Sequence, residues 1–437
     1  MADTASFKAP HLGRLDWWWH RITASYWSLP LLGVLAAAPA LIALLAVDRA
    51  GLSEWMLDEG FDPVATADTA KDLIAVAVGV NAAFITLYFS LTLLVLTVAS
   101  SNLGVRLVDR WLDKRLVRVS LSGLSFTLIF SLCALAAIDG EADKDDLPVA
   151  VVAAVMFLQA VNVAMLTVAL HDLGRTIFVD RAIHNLGRDA TVGPASVTPA
   201  PREEREFAMQ VTAPKEGYVE GNDLDLLQKW LGNGAGRVRV CAPPGQHVME
   251  GEPLVLVEND VTDRVSPEKL RHAVPVGDFR SDGQGAVFRI RLLVEIAARA
   301  LSPAINDFYT ALACADRLGY AILAHRHNWV DHDAMPVSAD NAHYELPGQD
   351  FRGLFEDPLS AFRQAACQYP SVSIRMIDNY ARVSSIVCRE GQSGEFADFL
   401  RQLARDLSEH AALVAKFEGD KNDIRDAFAR GFAHRDA

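Results

Sequence analysis

The stretch LIAVAVGVNAAFITLYFSLTLLVLTVA, residues 73–99, contains no charged side chain and decides the class of this protein. Three further apolar runs occupy residues 29–47, 116–138 and 147–170. Each run has about 19 residues or more, the length an α-helix needs to cross a hydrocarbon core about 30 Å thick. Backbone amides in lipid must be hydrogen-bonded within their own segment. The four runs therefore predict four transmembrane helices.

The segments that flank these runs alternate in charge, and this alternation predicts the orientation. The basic segments contain Lys8, Arg14, Arg21, Arg106, Arg110, Lys114, Arg115, Arg118, Arg175, Arg181 and Arg188. The acidic connections contain Asp48, Glu54, Asp58, Glu59, Asp62, Asp68, Asp72, Asp139, Glu141, Asp143, Asp145 and Asp146. Lys and Arg accumulate in loops on the cytoplasmic side. We therefore expect a multi-pass protein of the bacterial inner membrane with both termini in the cytoplasm.

The composition of the chain limits the kinds of molecule that the protein is expected to bind. The chain is 51% hydrophobic and has a formal net charge of −14. Residues 189–437 hold 27 Lys and Arg against 37 Asp and Glu, so this polar part has no overall positive charge for nucleic acid. The five cysteines form no C-x-x-C pair, which gives no indication of a zinc site or a disulfide framework. No cofactor is predicted, and the lipid bilayer is the expected partner.

The chain divides into five predicted segments. They are an interfacial aromatic segment (1–28), a four-helix transmembrane domain (29–185), a linker (186–206), a β-rich cytoplasmic module (207–285) and a helical cytoplasmic domain (286–437). The expected fold class is thus membrane α-helical, followed by a cytoplasmic α+β region with a small β-barrel-like module and a helical bundle. Within that region we expect helices near 222–231, capped by Asn222, and at 288–301, 308–323, 357–369, 371–388 and 395–417. Residues 325–351 read as irregular.

The stretch ARALSPAINDFYTA, residues 298–311, is the most distinctive motif of the polar region. It resembles the Ser-Pro-Ala-Ile-Asn-Asp box of an uncharacterised family of bacterial four-helix membrane proteins, the domain-of-unknown-function 2254 family. The Gly-Tyr-Val segment at 217–219, the Pro-Gly turn at 244–251 and His171 are similar as well. The resemblance implies the fold and no chemistry. Family members usually carry Pro where this chain has Phe308.

The box has a structural and a functional interpretation. Pro303 ends the incoming helix, Asn306 tolerates a left-handed turn, and Asp307 can cap the next helix near Thr310. Together with Ser302, these residues would form a corner between helices. The alternative is a binding site built from Arg299, Asn306 and Asp307.

The second apolar run carries small or polar residues on two opposite faces of a helix. One face contains Gly79, Ala83, Thr86, Ser90, Thr97 and Ser101, which are small enough for close helix packing. The other contains Asn81, Tyr88 and Thr92, which are the candidate pore-lining residues. On the fourth run, Gln159 and Asn162 are candidates for hydrogen bonds between helices. No Asp, Glu, Lys or Arg lies near a membrane midplane, which disfavours a proton-coupled transporter.

A further cluster of residues could bind a metal. His325, His327, Asp331, His332 and Asp333 supply imidazole and carboxylate groups, which suit divalent transition metals. The alternative is a solvated loop. We find no phosphate-binding loop, nucleophile elbow or metalloprotease motif, so nothing in the sequence indicates an enzyme.

Two functional hypotheses follow. The first is a homo-oligomer that forms a pore or water-filled cavity, passes a small solute or ion, and is regulated by its cytoplasmic region. The second is a membrane-anchored sensor or scaffold whose box region binds a cytoplasmic partner.

The orientation predicts which loops an impermeant thiol reagent reaches in intact cells. In a background without native cysteines, we expect labelling of Asp62→Cys and Asp143→Cys and no labelling of Lys114→Cys, because only the acidic loops lie outside the membrane. Permeabilised cells, in which all three should react, are the control. The reverse pattern would contradict the orientation.

Overall fold

The computed structural model describes residues 27–61, 63–103, 115–139, 147–176, 179–193 and 196–433. By internal contacts the chain divides into a unit that holds the apolar runs and a unit that consists mainly of Val179–Ala437. Nearly all of the predicted aromatic segment 1–28, the basic residues 104–114 and the acidic residues 140–146 lie outside the described residues.

The first unit is helical. Its elements are α1 (Ser28–Val47), α2 (Ser53–Asp58), α3 (Ala67–Leu103), α4 (Arg115–Ala137) and α5 (Val149–Thr176). Among the described residues, four helical stretches are long and apolar enough to cross a membrane, beginning at Ser28, Ala67, Leu116 and Val149. Each of the four predicted spans is therefore an apolar helix long enough to cross a membrane. α1 and α2 are joined by a turn in which Gly51 has a positive φ of 104°.

A close crossing of α1 and α4 organises this unit. A Cβ built on Gly33 would lie 2.8 Å from both the carbonyl oxygen and the Oγ of Ser122, so only glycine allows this approach. The Ser122 hydroxyl donates to the carbonyl of Leu29 at 2.9 Å. A small residue and a hydroxyl at a helix crossing are typical of contacts in lipid, where close packing replaces the hydrophobic effect.

Two apolar clusters fill the interior of the four-helix unit. One includes Ala77 of α3, Phe130 of α4 and Val155 of α5. The other includes Tyr88 of α3, Leu124 of α4 and Leu166 of α5.

The second unit contains two β-sheets. The strands are β1 (Val197–Pro201), β2 (Met209–Thr212), β3 (Gly217–Val219), β4 (Val238–Val240), β5 (His247–Val248), β6 (Pro253–Val257), β7 (Val276–Gly277), β8 (Ala334–Ser338) and β9 (Tyr344–Glu345). The larger sheet has the order β1-β8-β9-β4-β6-β2, and the smaller has the order β5-β3-β7. Pairing is antiparallel except between β4 and β9. Buried aliphatic side chains such as Val211, Val240 and Val255 form the core.

The β-barrel-like module was predicted wrongly, since the described strands form no closed barrel. β1 and β2 are the edges of an open sheet. The physical reason is the pair β8 and β9, which come from residues 334–345 and join the sheet between β1 and β4. Such long-range pairing leaves no signal in the local sequence of residues 207–285.

Helices form the rest of this unit. They are α6 (Val179–Asp189), α7 (Leu224–Leu231), α8 (Pro267–Leu270), α9 (Ala286–Ala300), α10 (Phe308–Ala324), α11 (Phe351–Ala366), α12 (Pro370–Arg389), α13 (Gly394–Val414) and α14 (Glu418–Phe432). α9 is buried on most sides and packs against α6, α10 and α11. α12 packs against α10, α13 and α14.

Several predicted boundaries differ from the structure. Residues 186–206, predicted as a linker, include the end of α6 and the edge strand β1, which pairs from Val197 opposite Ser338. The irregular stretch 325–351 contains β8 and β9. Asp223, not Asn222, caps α7, because its carboxylate accepts from the Leu226 amide at 2.8 Å. α14 follows the predicted final helix and was missed.

Candidate functional site

The two faces of α3 lie in different environments. Asn81, Tyr88 and Thr92 are at most 4% exposed, so the candidate lining residues face the interior of the four-helix unit. Gly79, Ala83, Thr86, Ser90 and Thr97 are exposed on its surface. The side chain of Ser101 lies outside the described residues. The face that we expected to mediate close packing is thus outward, and the polar face is the packed one.

Asn81 is joined to the fourth span by a direct hydrogen bond. The Asn162 side-chain amide of α5 donates from Nδ2 to Oδ1 of Asn81 at 3.1 Å, and both residues are buried. The two amides lie between the two apolar clusters, because Ala77 belongs to one cluster and Tyr88 to the other. This contact is the hydrogen bond between helices that the sequence led us to expect for Asn162.

α4 brings a third set of polar groups to the same place. A Cβ on Gly123 would lie 3.5 Å from Oδ1 of Asn162, which shows that this face of α4 meets the Asn pair. Ser120, Thr127 and Ser131 lie within about 80° of Gly123 around the helix, at 100° per residue. All three are at most 1% exposed. Their hydroxyls therefore lie along one buried face that passes the Asn pair.

These side chains define the buried polar set. Its members are Asn81, Thr92, Ser120, Thr127, Ser131, Gln159 and Asn162. Between Ser120 and Ser131, and again between Asn81 and Thr92, the set extends about 16 Å along a helix at 1.5 Å per residue. It therefore spans roughly half of a hydrocarbon core about 30 Å thick.

Most of the buried polar set lacks enough hydrogen-bond partners among the described residues. The unpartnered buried atoms are Asn81 Nδ2, Thr92 Oγ1, Ser120 Oγ, Thr127 Oγ1, Ser131 Oγ, and both Nε2 and Oε1 of Gln159. Leaving one such group unsatisfied costs about 1–3 kcal/mol. Water or a polar solute that entered the unit would remove this cost, since buried waters bind at such groups.

The outward hydroxyls of α3 are satisfied differently. Thr86 donates to the carbonyl of Ala82 at 2.9 Å, Ser90 to Thr86 at 2.8 Å, and Thr97 to Leu93 at 2.8 Å. Because each hydroxyl bonds to its own helix, this face can pack against lipid or another helix without an unsatisfied donor.

The box forms a capped corner between α9 and α10. Oδ1 of Asp307 accepts from the Thr310 amide at 3.1 Å, and Oδ2 accepts from the Thr310 hydroxyl at 2.6 Å. Asn306 has a φ of 51°, in the left-handed region. Pro303 follows Ser302, whose amide donates to the Arg299 carbonyl at 3.0 Å. Arg299 itself lies 3.9 Å from Glu295, so it turns back along α9.

The candidate metal ligands form hydrogen bonds with other groups of the protein. Nε2 of His325 bonds to the Ala190 carbonyl at 2.8 Å, and burial lowers the pKa of His325, which favours the neutral ring. His327 contacts Gln392 at 2.9 Å, and His332 contacts Arg352 at 2.7 Å.

Asp331 is also engaged by other groups. Its carboxylate accepts from Ser393 and from the Trp329 indole, and the hydrogen bond from Ser393 lowers its pKa. Among the described residues no group of three or more His, Cys, Asp or Glu could hold a metal ion. The candidate metal ligands therefore do not converge on one site.

The comparison with known proteins decides the family. A family model described as predicted membrane protein (DUF2254) matches residues 23–382. The chain belongs to this family. The resemblance found in the sequence is thereby confirmed at the level of the family.

Relatives extend beyond the length of this chain. Uncharacterized proteins of Mycobacterium tuberculosis (strain CDC 1551 / Oshkosh) and Mycobacterium bovis are each 28% identical over 319 residues, covering 68% of this chain and 60% of the relative. The chain thus matches about 60% of the length of these relatives. No solved structure gives a significant match.

Ser120, Thr127 and Ser131 were not among the site residues predicted from the sequence. Their spacing of seven and four residues places them on one helical face, the same signal that we used for α3. Hydroxyl residues in an apolar run are common, so the spacing alone did not distinguish them from ordinary packing.

The Asn81–Asn162 contact predicts a measurable coupling between two helices. We expect Asn81→Leu and Asn162→Leu each to destabilise the unit, because each leaves the other amide without this partner. The double variant should cost less than the sum, with a coupling of about 0.6–1.7 kcal/mol. The measurement is unfolding in mixed micelles by a double-mutant cycle. Additive effects would contradict the contact.

Proposed function

We propose that this membrane protein is a homo-oligomer of the bacterial cytoplasmic membrane whose four-helix unit encloses a hydrated path for a small solute or ion. The observation that carries the proposal is the buried polar set, with its unpartnered atoms on α3, α4 and α5. A unit whose spans served only as anchors could fill these positions with aliphatic side chains at no desolvation cost. The alternating loop charges support the proposal that both termini lie in the cytoplasm.

Among the described residues no Asp, Glu, Lys or Arg lies near the middle of a span, which fits conduction better than ion-coupled transport. The described spans contain uncharged amides and hydroxyls in the buried polar set, which can replace the hydration shell of a solute. Apolar side chains of the two clusters flank the Asn pair on both sides. Hydrophobic constrictions of this kind gate by excluding water, so conformational change at either cluster would control passage.

The outward face of α3 supports oligomerisation. Apart from its chain neighbours and the backbone of its own helix, no atom of the described residues lies within 4 Å of the position that a Cβ on Gly79 would take, so this part of the helix is open to a partner. From Gly79 to Thr97 the face extends about 27 Å along the helix, nearly the thickness of the hydrocarbon core. Small residues over this length allow two helices to approach closely.

A second candidate function is a membrane-anchored sensor or scaffold. It is favoured by exposed apolar side chains at the box, where Ile305, Phe308 and Tyr309 are 37%, 38% and 73% exposed. The Phe308 and Tyr309 rings lie 4.4 Å apart and present one apolar surface. Such a surface suits contact with a protein partner.

Flux through reconstituted protein tests the hydrated path. We expect Thr127→Val and Gln159→Leu to lower ion current in planar bilayers or osmotic water flux in proteoliposomes about tenfold, because they remove polar lining atoms. Thr167→Val is the matched control, since Thr167 is exposed and its hydroxyl bonds to Val163 at 2.9 Å. Wild-type protein without flux above that of protein-free bilayers would refute the path and favour the sensor.

The exposed face of α3 leads to a separate prediction about the number of subunits in the assembly. Gly79→Leu should shift the protein in mild detergent to a smaller oligomer, because a large side chain separates the packed helices. Ala160→Leu is a matched small-to-large change on the exposed face of α5 and should leave the oligomer intact. Native mass spectrometry gives the subunit number. A monomeric wild type, or equal effects of both changes, would argue against an interface on α3.

A further inference from the structure

An arginine-lined cleft lies in the second unit, apart from the buried polar set. It has a volume of about 650 Å³ and is lined mainly by α12 and the end of α14. The two helices approach closely there, since a Cβ on Gly431 would lie 2.6 Å from the Cβ of Ala381. Ala381, Ile386 and Gly431 contribute apolar surface. The cleft has the size of small-molecule sites, which are commonly 300–1,000 Å³.

The arginines of the cleft follow a regular spacing. Arg375, Arg382 and Arg389 recur every seven residues, which places them on one face of α12. Arg430 of α14 lines the same cleft. From Arg375 to Arg389 the row extends about 21 Å at 1.5 Å per residue. This arrangement puts four guanidinium groups around one concave surface.

Most of these arginines lack a carboxylate partner among the described residues. Arg375 is paired with Asp316 at 2.8 Å. Arg382 has only a long hydrogen bond of 3.5 Å to Asn379, and Nε of Arg389 donates to the Ser385 carbonyl at 3.3 Å. No described side chain forms an ion pair with Arg430. The three free charges therefore remain available to a ligand.

The acidic groups near the cleft do not neutralise it. Among the described residues that line the cleft, Asp378 is the single carboxylate. Glu390 follows Arg389 in the chain, but its two carboxylate oxygens are held by Arg326 at 2.7 and 3.0 Å. The polar part of the chain carries ten more acidic than basic residues. A concentration of arginine against this background focuses an attractive field for anions on the cleft.

We propose that this cleft binds a compound that carries two or more phosphate groups. The planar guanidinium group matches phosphate geometry with two parallel hydrogen bonds, and several arginines in a row suit linked phosphates better than a single one. The part of the cleft that the structure describes has no aromatic side chain in its lining, so recognition is of the phosphates and not of a stacked base. The same chemistry is offered by a free polyphosphate ligand and by a phosphorylated lipid headgroup.

Calorimetric titration of the full-length protein in neutral detergent with sodium pyrophosphate tests the proposal. We expect binding that weakens as salt is added, because exposed charges are screened. Arg382→Gln, Arg389→Gln and Arg430→Gln should each lower the affinity about tenfold, the loss of one charge-assisted contact. Arg425→Gln is the control on α14, since Arg425 is exposed and does not line the cleft.

Two further measurements test the arginines and the ligand. The first separates a binding role of Arg382 from a structural one, and the second shows whether the ligand is a soluble compound or a lipid headgroup. Arg382→Lys keeps the positive charge but lacks the planar guanidinium group, so its affinity for pyrophosphate should fall between that of wild type and that of Arg382→Gln. The thermal unfolding of all variants should stay unchanged. The second measurement repeats the titration in nanodiscs that contain a phosphoinositide. Retained pyrophosphate binding indicates a soluble ligand. Competition between the phosphoinositide and pyrophosphate that depends on Arg382 indicates the lipid headgroup. Absence of pyrophosphate binding, or equal loss in Arg425→Gln, overturns the site.

Discussion

The bilayer offers no hydrogen bonds, and this constraint governs the four-helix unit. It requires each span to be helical, because only a helix satisfies its own backbone. It also makes every buried polar side chain costly unless that side chain has a hydrogen-bond partner, since lipid cannot replace water as a partner. Asn81 and Asn162 satisfy one another in part, whereas Gln159 and Thr127 have no partner within the described chain. The contrast between these groups supports the proposal that the unit admits water.

The same constraint explains which predictions succeeded. Length and apolarity are local properties, so residues 73–99 alone were enough to place α3. The cap at Asp307 was also predictable, because capping involves residues only three positions apart. Which face of a helix points to the interior was not predictable. Opposite faces of α3 both carry small or polar residues, and only the position of neighbouring helices decides that Asn81 is inside and Gly79 outside.

The second unit shows where local sequence information ends. β8 and β9 lie in a stretch that seemed irregular, yet they connect β1 with β4 in the larger sheet. Pairing between Val197 and Ser338 depends on chain segments about 140 residues apart. The His and Asp residues of the same region failed as a metal site for a related reason. Proximity in sequence put them together, but His325 turns to Ala190 while Asp331 turns to Trp329 and Ser393.

The crossing of α1 and α4 at Gly33 has a consequence for biosynthesis. The hydrogen bond from Ser122 to Leu29 joins the first span to the third, which leaves the ribosome about 90 residues later. At a synthesis rate of roughly 5–20 residues per second, the first helix waits several seconds in the membrane before its partner arrives. During that interval its glycine face is uncovered. Insertion factors or another nascent helix could occupy it, so the order of translation sets which contacts form first.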